Sequence, residues 1–247
     1  MRISFLSFMF FCMSTLYGAN NFVLIGPPGS GKGTFSSYMV QKFGYSQICP
    51  GDLVREQVKK QTKLGKEMEP IVKRGDYISD SIIFKMIKDC ILEAIKKKQP
   101  FIIDGFPRSV EALNFLNSVF TEQKIESEVA YIHFKIEDEI CVDRITNRLV
   151  CFNCKSIFNK TTQKPKVNMV CDSCKGKLET RIGDSEENAK KRLLYYRENI
   201  EPLVKKARLQ FDVIELAANS SSDTLYKKFD ELFLFDKATG GNHENNS

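Results

Sequence analysis

The chain has 247 residues, 42% hydrophobic and 28% charged, with 37 basic against 31 acidic side chains and a formal net charge of +6. That is the balance of an ordinary soluble globular protein; it excludes a disordered or fibrous chain and leaves room for one good core with small inserted modules. The basic excess suits a polyanionic partner, nucleotide phosphates or nucleic acid, without choosing between them.

Taken in order, the chain begins with a signal-like or disordered extension, residues 1–20. Arg2 precedes the apolar run Ile3–Leu16 and then Tyr17-Gly18-Ala19. The run is short for a membrane span, and Tyr17 is bulky where a cleavage site takes a small residue. Residues 21–26 then read as a strand and 32–43 as its helix. Between them lies Gly26-Pro27-Pro28-Gly29-Ser30-Gly31-Lys32-Gly33-Thr34. Strand, glycine-rich turn and helix form the setting of a phosphate-binding loop, where backbone N–H groups and a helix N-terminus converge on phosphate oxygens. Lys32 can reach the β- and γ-phosphates. Gly33 stands where a hydroxyl usually follows the lysine, with Thr34 one place on.

Cys49-Pro50-Gly51-Asp52 reads as a turn into Leu53, Val54, Arg55 and a lysine-rich helical stretch ending near Gly75. Ser79 and Asp80 can cap the next helix, which places Ile82, Ile83, Met86, Ile87, Cys90, Ile91, Ala94 and Ile95 at helical steps and ends on Lys96-Lys97-Lys98. A second buried strand, Phe101–Ile103, runs into Asp104-Gly105-Phe106-Pro107-Arg108. A helix over Val110–Phe120, a strand over Val129–Ile136 and a helix over Glu137–Leu149 follow. Residues 150–178 break the rhythm with cysteines, lysines and turn formers. Helix is expected again from Asp184 to about Gln210, bent near Pro202, then a strand over Phe211–Leu216, a helix over Thr224–Phe235 and a polar, disordered tail. Alternating strands and helices predict a parallel sheet covered on both faces, with ligands at the carboxyl ends of its strands. The interruptions near 49–78 and 149–182 are candidate mobile inserts.

Asp104 closes an apolar strand, where beside a phosphate loop a carboxylate suits Mg²⁺, directly or through water. Arg55, Arg108, Arg144, Arg148, Arg181 and Arg192 fall at element ends or beside the inserts. Phosphoryl transfer needs positioned positive charge, and the planar arginine fork suits phosphate. Of eight cysteines, Cys12, Cys49, Cys90 and Cys141 are scattered, whereas Cys151, Cys154, Cys171 and Cys174 form two CxxC pairs sixteen residues apart. Two such knuckles can give four thiolates to a structural Zn²⁺; a pair of disulfides is the alternative. A guanine-reading Asn-Lys-x-Asp is missing, since Asn159-Lys160-Thr161-Thr162 lacks the aspartate. The lysines Lys155, Lys160, Lys164, Lys166, Lys175 and Lys177 leave open a nucleic-acid-binding zinc ribbon or a solvated face.

From about Phe22 to Phe235 the chain resembles adenylate kinase of the long bacterial type with a zinc-built lid. Gly26–Thr34 is similar to that family's phosphate loop and Gly51-Asp52-Leu53-Val54-Arg55 to its monophosphate turn. Asp104–Arg108 is similar to its most diagnostic motif, and the cysteine module sits where the lid belongs. The resemblance implies a three-layer P-loop α/β fold over residues 21–236. Its central sheet would be five-stranded and parallel, with a helical monophosphate-binding insert at 49–78, a zinc-ribbon-like lid at 149–182, and a disordered tail at 237–247. It implies ATP + AMP giving two ADP with Mg²⁺ and structural Zn²⁺, by a monomer that needs neither nucleic acid nor a stable membrane contact. A need for ATP favours the cytoplasm, with export or tethering through residues 1–19 as the alternative.

The resemblance carries roles onto residues. Gly29, Ser30, Gly31, Lys32, Gly33, Thr34, Arg144, Arg148, Ile157 and Phe158 would bind ATP, with Arg144 on its base. Pro50, Arg55, Asp76, Tyr77, Ile78, Gly105, Phe106, Pro107, Arg108, Ala112, Arg181 and Arg192 would bind AMP. Lys32, Arg108, Arg148, Arg181 and Arg192 would be catalytic, and Asp104 would hold Mg²⁺ through water. Four positions depart from the family pattern. Ala112 replaces the adenine-reading glutamine, Pro50 a threonine, Gly183 an aspartate after the lid, and Thr162 a lid aromatic. The first two relax the expected reading of the acceptor base and point to a relaxed or degenerate kinase as the alternative.

Overall fold

Strands buried on both faces read as unbroken apolar runs, because in a parallel sheet the connecting helices cover both sides. The computed structural model follows that rule. It describes residues 20–73, 78–154, 156–181, 183–209, 211, 213–219, 224, 226, 227, 229 and 230. The signal-like segment before Asn20, Asp76, Tyr77, Lys155, the end of the last helix and the tail lie outside these residues. Strand β1 (Asn21–Ile25) is buried at every position. It leads into helix α1 (Lys32–Phe43), strand β2 (Ser46–Ile48), helices α2 (Pro50–Lys59), α3 (Lys63–Lys73) and α4 (Asp80–Lys96), and strand β3 (Phe101–Asp104). Helix α5 (Val110–Gln123), strand β4 (Val129–Lys135) and helix α6 (Asp138–Thr146) follow. After the second insert come helix α7 (Glu186–Tyr195), a π-helical turn (Tyr196–Ile200), helix α8 (Glu201–Ala207) and the final strand (Val213–Ala217).

Five strands pair in parallel in the order β2-β3-β1-β4-final strand. The chain leaves β1 toward one edge and returns across it to β4, so the order reverses at β1. A crevice opens at such a reversal, beyond the carboxyl ends of the strands. One face of the sheet (Val23, Ile25, Ile48, Ile103) packs on Ile83, Ile87 and Ile91 of α4, Leu113 and Leu116 of α5, and Tyr196, Leu203 and Val204. The other face (Phe22, Leu24, Ile102, Phe134) packs on Phe35 and Met39 of α1 and on Phe229 of the last helix. Burial of these side chains contributes roughly 1.5–3 kcal/mol each against leaving them exposed.

The second insert is a separate antiparallel sheet in the order β6-β5-β7, with β5 (Arg148–Cys151) central between β6 (Ile157–Asn159) and β7 (Leu178–Glu179). Its core is Leu149, Cys151, Phe158, Cys171 and Leu178, too few side chains for an independent fold. Among the described residues no helix is long and apolar enough to cross a membrane.

Local boundaries differ from the sequence reading in several places. The turn at Cys49–Asp52 is already helical from Pro50, whose ring suits the first helical position. The lysine-rich stretch is two helices rather than one, broken at Gln61 in a left-handed conformation (φ 52°). They pack so closely that a Cβ on Gly65 would lie 2.0 Å from the Gln57 carbonyl oxygen. The helix from Glu137 stops at Thr146, and Arg148 and Leu149 belong to β5 instead. Helix α7 starts at Glu186, with Ser185 accepting the Asn188 N–H as its cap. Instead of a bend at Pro202, the register changes through the π-turn just before it, where Pro202 falls in the first turn of α8. Ser79 occupies the N-cap of α4 but makes no capping bond; Asp80 instead accepts the Ser109 hydroxyl. Strand β2, unread in the sequence, completes the sheet.

Candidate active site

The phosphate loop connects β1 to α1 at the reversal point. Gly31, left-handed at φ 93°, is the N-cap of α1, so the free N–H groups of that helix start open onto the crevice. Gly29 is equally constrained: its φ is 83°, and a Cβ there would meet the Cys141 carbonyl oxygen of α6 at 2.6 Å. Any side chain would push the loop off its support. Lys32 donates to the carbonyls of Gly26 (2.6 Å) and Pro27 (2.8 Å) and to the buried Ser30 hydroxyl (3.1 Å). Burial lowers its pKa to about 8, against the opposing pull of Asp104. An ammonium held so is ready to exchange loop carbonyls for phosphate oxygens.

Asp104 ends β3 beside β1, in register with Leu24. Burial pushes its carboxyl above the usual range, while Lys32 and the Gln47 amide pull the other way. Its Oδ2 lies 3.6 Å from where a Cβ on Gly33 would be, and Ile157 of the second insert reaches within 3.4 Å of the same point. Both are ordinary van der Waals distances, so the carboxylate and the insert flank the loop at Gly33. Thr34 is half-buried, its carbonyl accepting the Tyr226 hydroxyl at 3.4 Å.

The second insert delivers cations. Arg181, next to Asp52, Arg55, Arg148 and Cys49, has no hydrogen-bond or ion-pair partner among the described residues, and burial drops its pKa to about 10. A desolvated guanidinium without a partner is an anion site in waiting. Arg148 and Arg192 share Asp184, whose side chain is only 4% exposed. Arg148 donates from Nε and Nη2 to both carboxylate oxygens at 2.8 Å each, and Arg192 adds a bond at 3.1 Å. Burial resists ionisation of Asp184, but the two arginines outweigh it and hold the carboxyl below its usual range. Arg192 also donates to the Gly183 carbonyl at 2.9 Å. The carboxylate missing at Gly183 is thus supplied one residue later. Sequence reasoning passed over Asp184 because an acid before a helix reads as a cap.

On the acceptor side, Arg55 pairs with Asp52 one helical turn back. Arg108 donates to the Gly105 carbonyl at 2.7 Å, and the intervening Phe106–Pro107 peptide is cis. Phe106 is buried against Phe84, and Ile78 is half-buried against the same core. Ala112 is wholly buried in the first turn of α5, its N–H donated to the Ser109 hydroxyl at 3.0 Å. Pro50 is buried at the start of α2. Neither offers a free hydrogen-bonding group to a base. Arg144 lies half-buried on α6, and Phe158 is part of the insert core.

Cys151, Cys154, Cys171 and Cys174 place their four sulfurs within 4.8 Å of one another. Neighbouring pairs are 3.4 Å (Cys151–Cys174) and 3.5 Å (Cys154–Cys171) apart. A tetrahedral zinc with Zn–S bonds of about 2.3 Å needs sulfurs spaced by roughly 3.8 Å, so the four thiols fit one ion. All four are free thiols rather than disulfides.

A family model for adenylate kinase matches residues 24–209. The adenylate kinase of Borrelia garinii subsp. bavariensis is 39% identical over 212 residues, covering 86% of this chain and 97% of that protein. That of Borreliella burgdorferi is 38% identical with the same coverage. The adenylate kinase of Thermococcus kodakarensis is 33% identical over 86% of this chain and 93% of its own length.

Proposed function

We propose that this chain, which belongs to the adenylate kinase family and is a nucleoside monophosphate kinase, moves the terminal phosphoryl group of Mg-bound ATP to AMP, giving two ADP. The observation that carries the reading is Arg181, a half-buried guanidinium with no hydrogen-bond or ion-pair partner among the described residues, set among Arg55 and Arg148 and felt electrostatically by Asp104, which faces the phosphate loop. Converging positive charge is what a transferring phosphoryl group requires, because its equatorial oxygens carry the charge and little covalent work falls to the protein; Arg55 meanwhile pairs with Asp52 and Arg148 with Asp184.

In this reading the N–H groups of Gly29, Ser30, Gly31, Gly33 and Thr34 cradle the donor phosphates, and Lys32 turns from Gly26 and Pro27 toward the β- and γ-oxygens. Arg55 and Arg108 clamp the acceptor phosphate. Arg148, Arg181 and Arg192 surround the group in flight, with Asp184 keeping two of them in position. Arg144 and Ile157 border the donor base, and Pro50, Ile78, Gly105, Phe106, Pro107 and Ala112 line the acceptor side. Asp104 would hold Mg²⁺ through water; when bound, the ion neutralises charge on the β- and γ-oxygens. The four cysteines would hold Zn²⁺ and fix the second insert as a lid. Contact of Ile157 with the loop at Gly33 is the closed arrangement that excludes water, against which ATP would otherwise be lost to hydrolysis. We place the enzyme as a monomer in the cytoplasm, where ATP is plentiful.

The test is a coupled assay of the purified protein with Mg-ATP against AMP, CMP, UMP, GMP and dAMP. A kcat/KM for AMP well above the others supports the proposal. Equal turnover of all five makes the protein a relaxed monophosphate kinase, and turnover of none removes the reading.

A further inference from the structure

We infer that Gln47 is a positioning residue for the metal–nucleotide site, acting through Asp104. It sits in the middle of β2, the edge strand, in register with Ile102 of β3. Side chains alternate along a strand, so Asp104, two residues on from Ile102, shares Gln47's face of the sheet. The Gln47 amide donates from Nε2 to Asp104 Oδ2 at 3.3 Å. That oxygen is the one near Gly33, so the amide ties down the carboxylate on the side turned to the phosphate loop.

Packing alone does not account for a glutamine there. Its strand neighbours point to packing: Ile48 is buried in the main core. Gln47 itself borders a small cavity of about 120 Å³ shared with Ser46, Cys90, Ala94 and Lys97. Among the described residues its side chain makes no other hydrogen bond, so the bond to Asp104 is what selects its rotamer. The relationship runs both ways. Asp104, 8% exposed, has no other side-chain hydrogen bond among the described residues, and a buried carboxylate left to rotate would present its free oxygen in the wrong direction. A site whose ligands are held by their neighbours binds metal more tightly than one left to chance.

The inference rests on the reading of Asp104 as the residue that holds Mg²⁺ through water. It is tested on the full-length protein with Gln47→Met, which keeps length and removes the donor, and with Asp104→Asn. Two quantities are measured: binding of Mn²⁺–nucleotide by electron paramagnetic resonance, and binding of the metal-free nucleotide by calorimetry. The expected result is that Gln47→Met weakens Mn²⁺–nucleotide binding about tenfold. Metal-free binding stays within twofold, and excess metal restores kcat. In the Asp104→Asn background the same change then has no further effect. Should Gln47→Met misfold, Gln47→Leu, smaller and likewise without a donor, takes its place. Unchanged metal affinity in the glutamine variant, or an equal loss of metal-free binding, overturns the inference. If Asp104→Asn itself leaves metal affinity untouched, the magnesium reading fails instead, which separates the two.

Discussion

Asp184 binds Arg148 through two parallel hydrogen bonds of 2.8 Å, a fork-to-fork pairing in which the carboxylate presents to the guanidinium the same pair of oxygens a phosphate would. Arg192 joins the same carboxylate at 3.1 Å. Two cations with no ligand between them repel; the buried anion between β7 and α7 keeps them together before any nucleotide arrives. Removing it leaves two half-desolvated charges unpaired. Breaking such a pair costs about 3–5 kcal/mol. We expect Asp184→Ala to lower Tm by roughly 6–20 °C, at about 2–4 °C per kcal/mol for a chain of this size. kcat should fall more than KM rises, because the lost order concerns the group in flight. Because the folded pKa is depressed, this stabilisation is present above the ordinary carboxyl range and is lost as pH falls through the folded value. The wild type should therefore lose stability on acidification more steeply than Asp184→Ala. Parallel acid titrations in the two proteins would contradict the pairing.

Lys32 gives a signature on the alkaline side. Its pKa in the free protein is about 8, pulled down from 10.5 chiefly by burial. Phosphate oxygens favour the charged form, so the bound pKa is higher than the free one. Below pH 8 the lysine is charged with or without nucleotide. Above it, the free protein must take up a proton to bind, and ATP affinity should fall by up to tenfold per pH unit while proton uptake rises. Calorimetry in buffers of different ionisation enthalpy at pH 7 and pH 9 measures both. Lys32→Ala should abolish the pH dependence, cut turnover by about 10²–10³, and leave the melting profile cooperative, since the side chain contacts only the loop it serves.

What could be read in the sequence follows from how local the signal is. Gly26–Thr34, Asp104–Arg108 and the two CxxC pairs carry their chemistry within a few residues, and each lies where the sequence placed it. Strand β2 escaped notice because only Ile48 of its three residues is fully buried, while Ser46 and Gln47 look like loop. The break between α2 and α3 has neither glycine nor proline at the turn; Gln61 adopts the left-handed conformation that residues such as Asn usually take. Asp184 and Arg148 are 36 positions apart, so their pairing belongs to the tertiary fold alone. The π-turn at Tyr196–Ile200 has no pattern of its own. At its start the Tyr196 hydroxyl meets His133 in the core at 2.9 Å.

The cysteine insert should depend on its metal. Its apolar core is five residues, too few to hold the insert together without a tie between the knuckles. The Cys174 thiol is held below its usual range, first by the Gly176 N–H, and Cys171 is lowered too, whereas burial pushes the Cys151 thiol up to about 11. Stripping the protein with a strong chelator should release one zinc per chain, lower Tm, and reduce kcat while the sheet of the main core keeps its far-ultraviolet spectrum. Zinc added back under reducing conditions should restore both. If the freshly purified protein contains no metal and its four thiols resist alkylation, the knuckles are joined by disulfides instead.

In the proposed reading, acceptor choice turns on Ala112. Its methyl is fully buried in the first turn of α5, and its N–H is taken by Ser109, so it has nothing polar to give a base. Pro50 opposite has no N–H and no hydroxyl. A site that hydrogen-bonds a substrate rejects analogues by as much as about 10⁴-fold, whereas one that only encloses it discriminates by roughly 10–200-fold. AMP over other monophosphates should therefore sit in the lower range for the wild type. Ala112→Gln should raise it by about tenfold or more, mainly through loss of turnover with CMP and UMP, provided the longer side chain leaves the packing of Phe84 and Phe106 in place. The unchanged melting temperature of the variant is the control for that packing. A wild type already selective by 10⁴, or a glutamine variant no more selective than its parent, would show that backbone groups elsewhere in the crevice read the base.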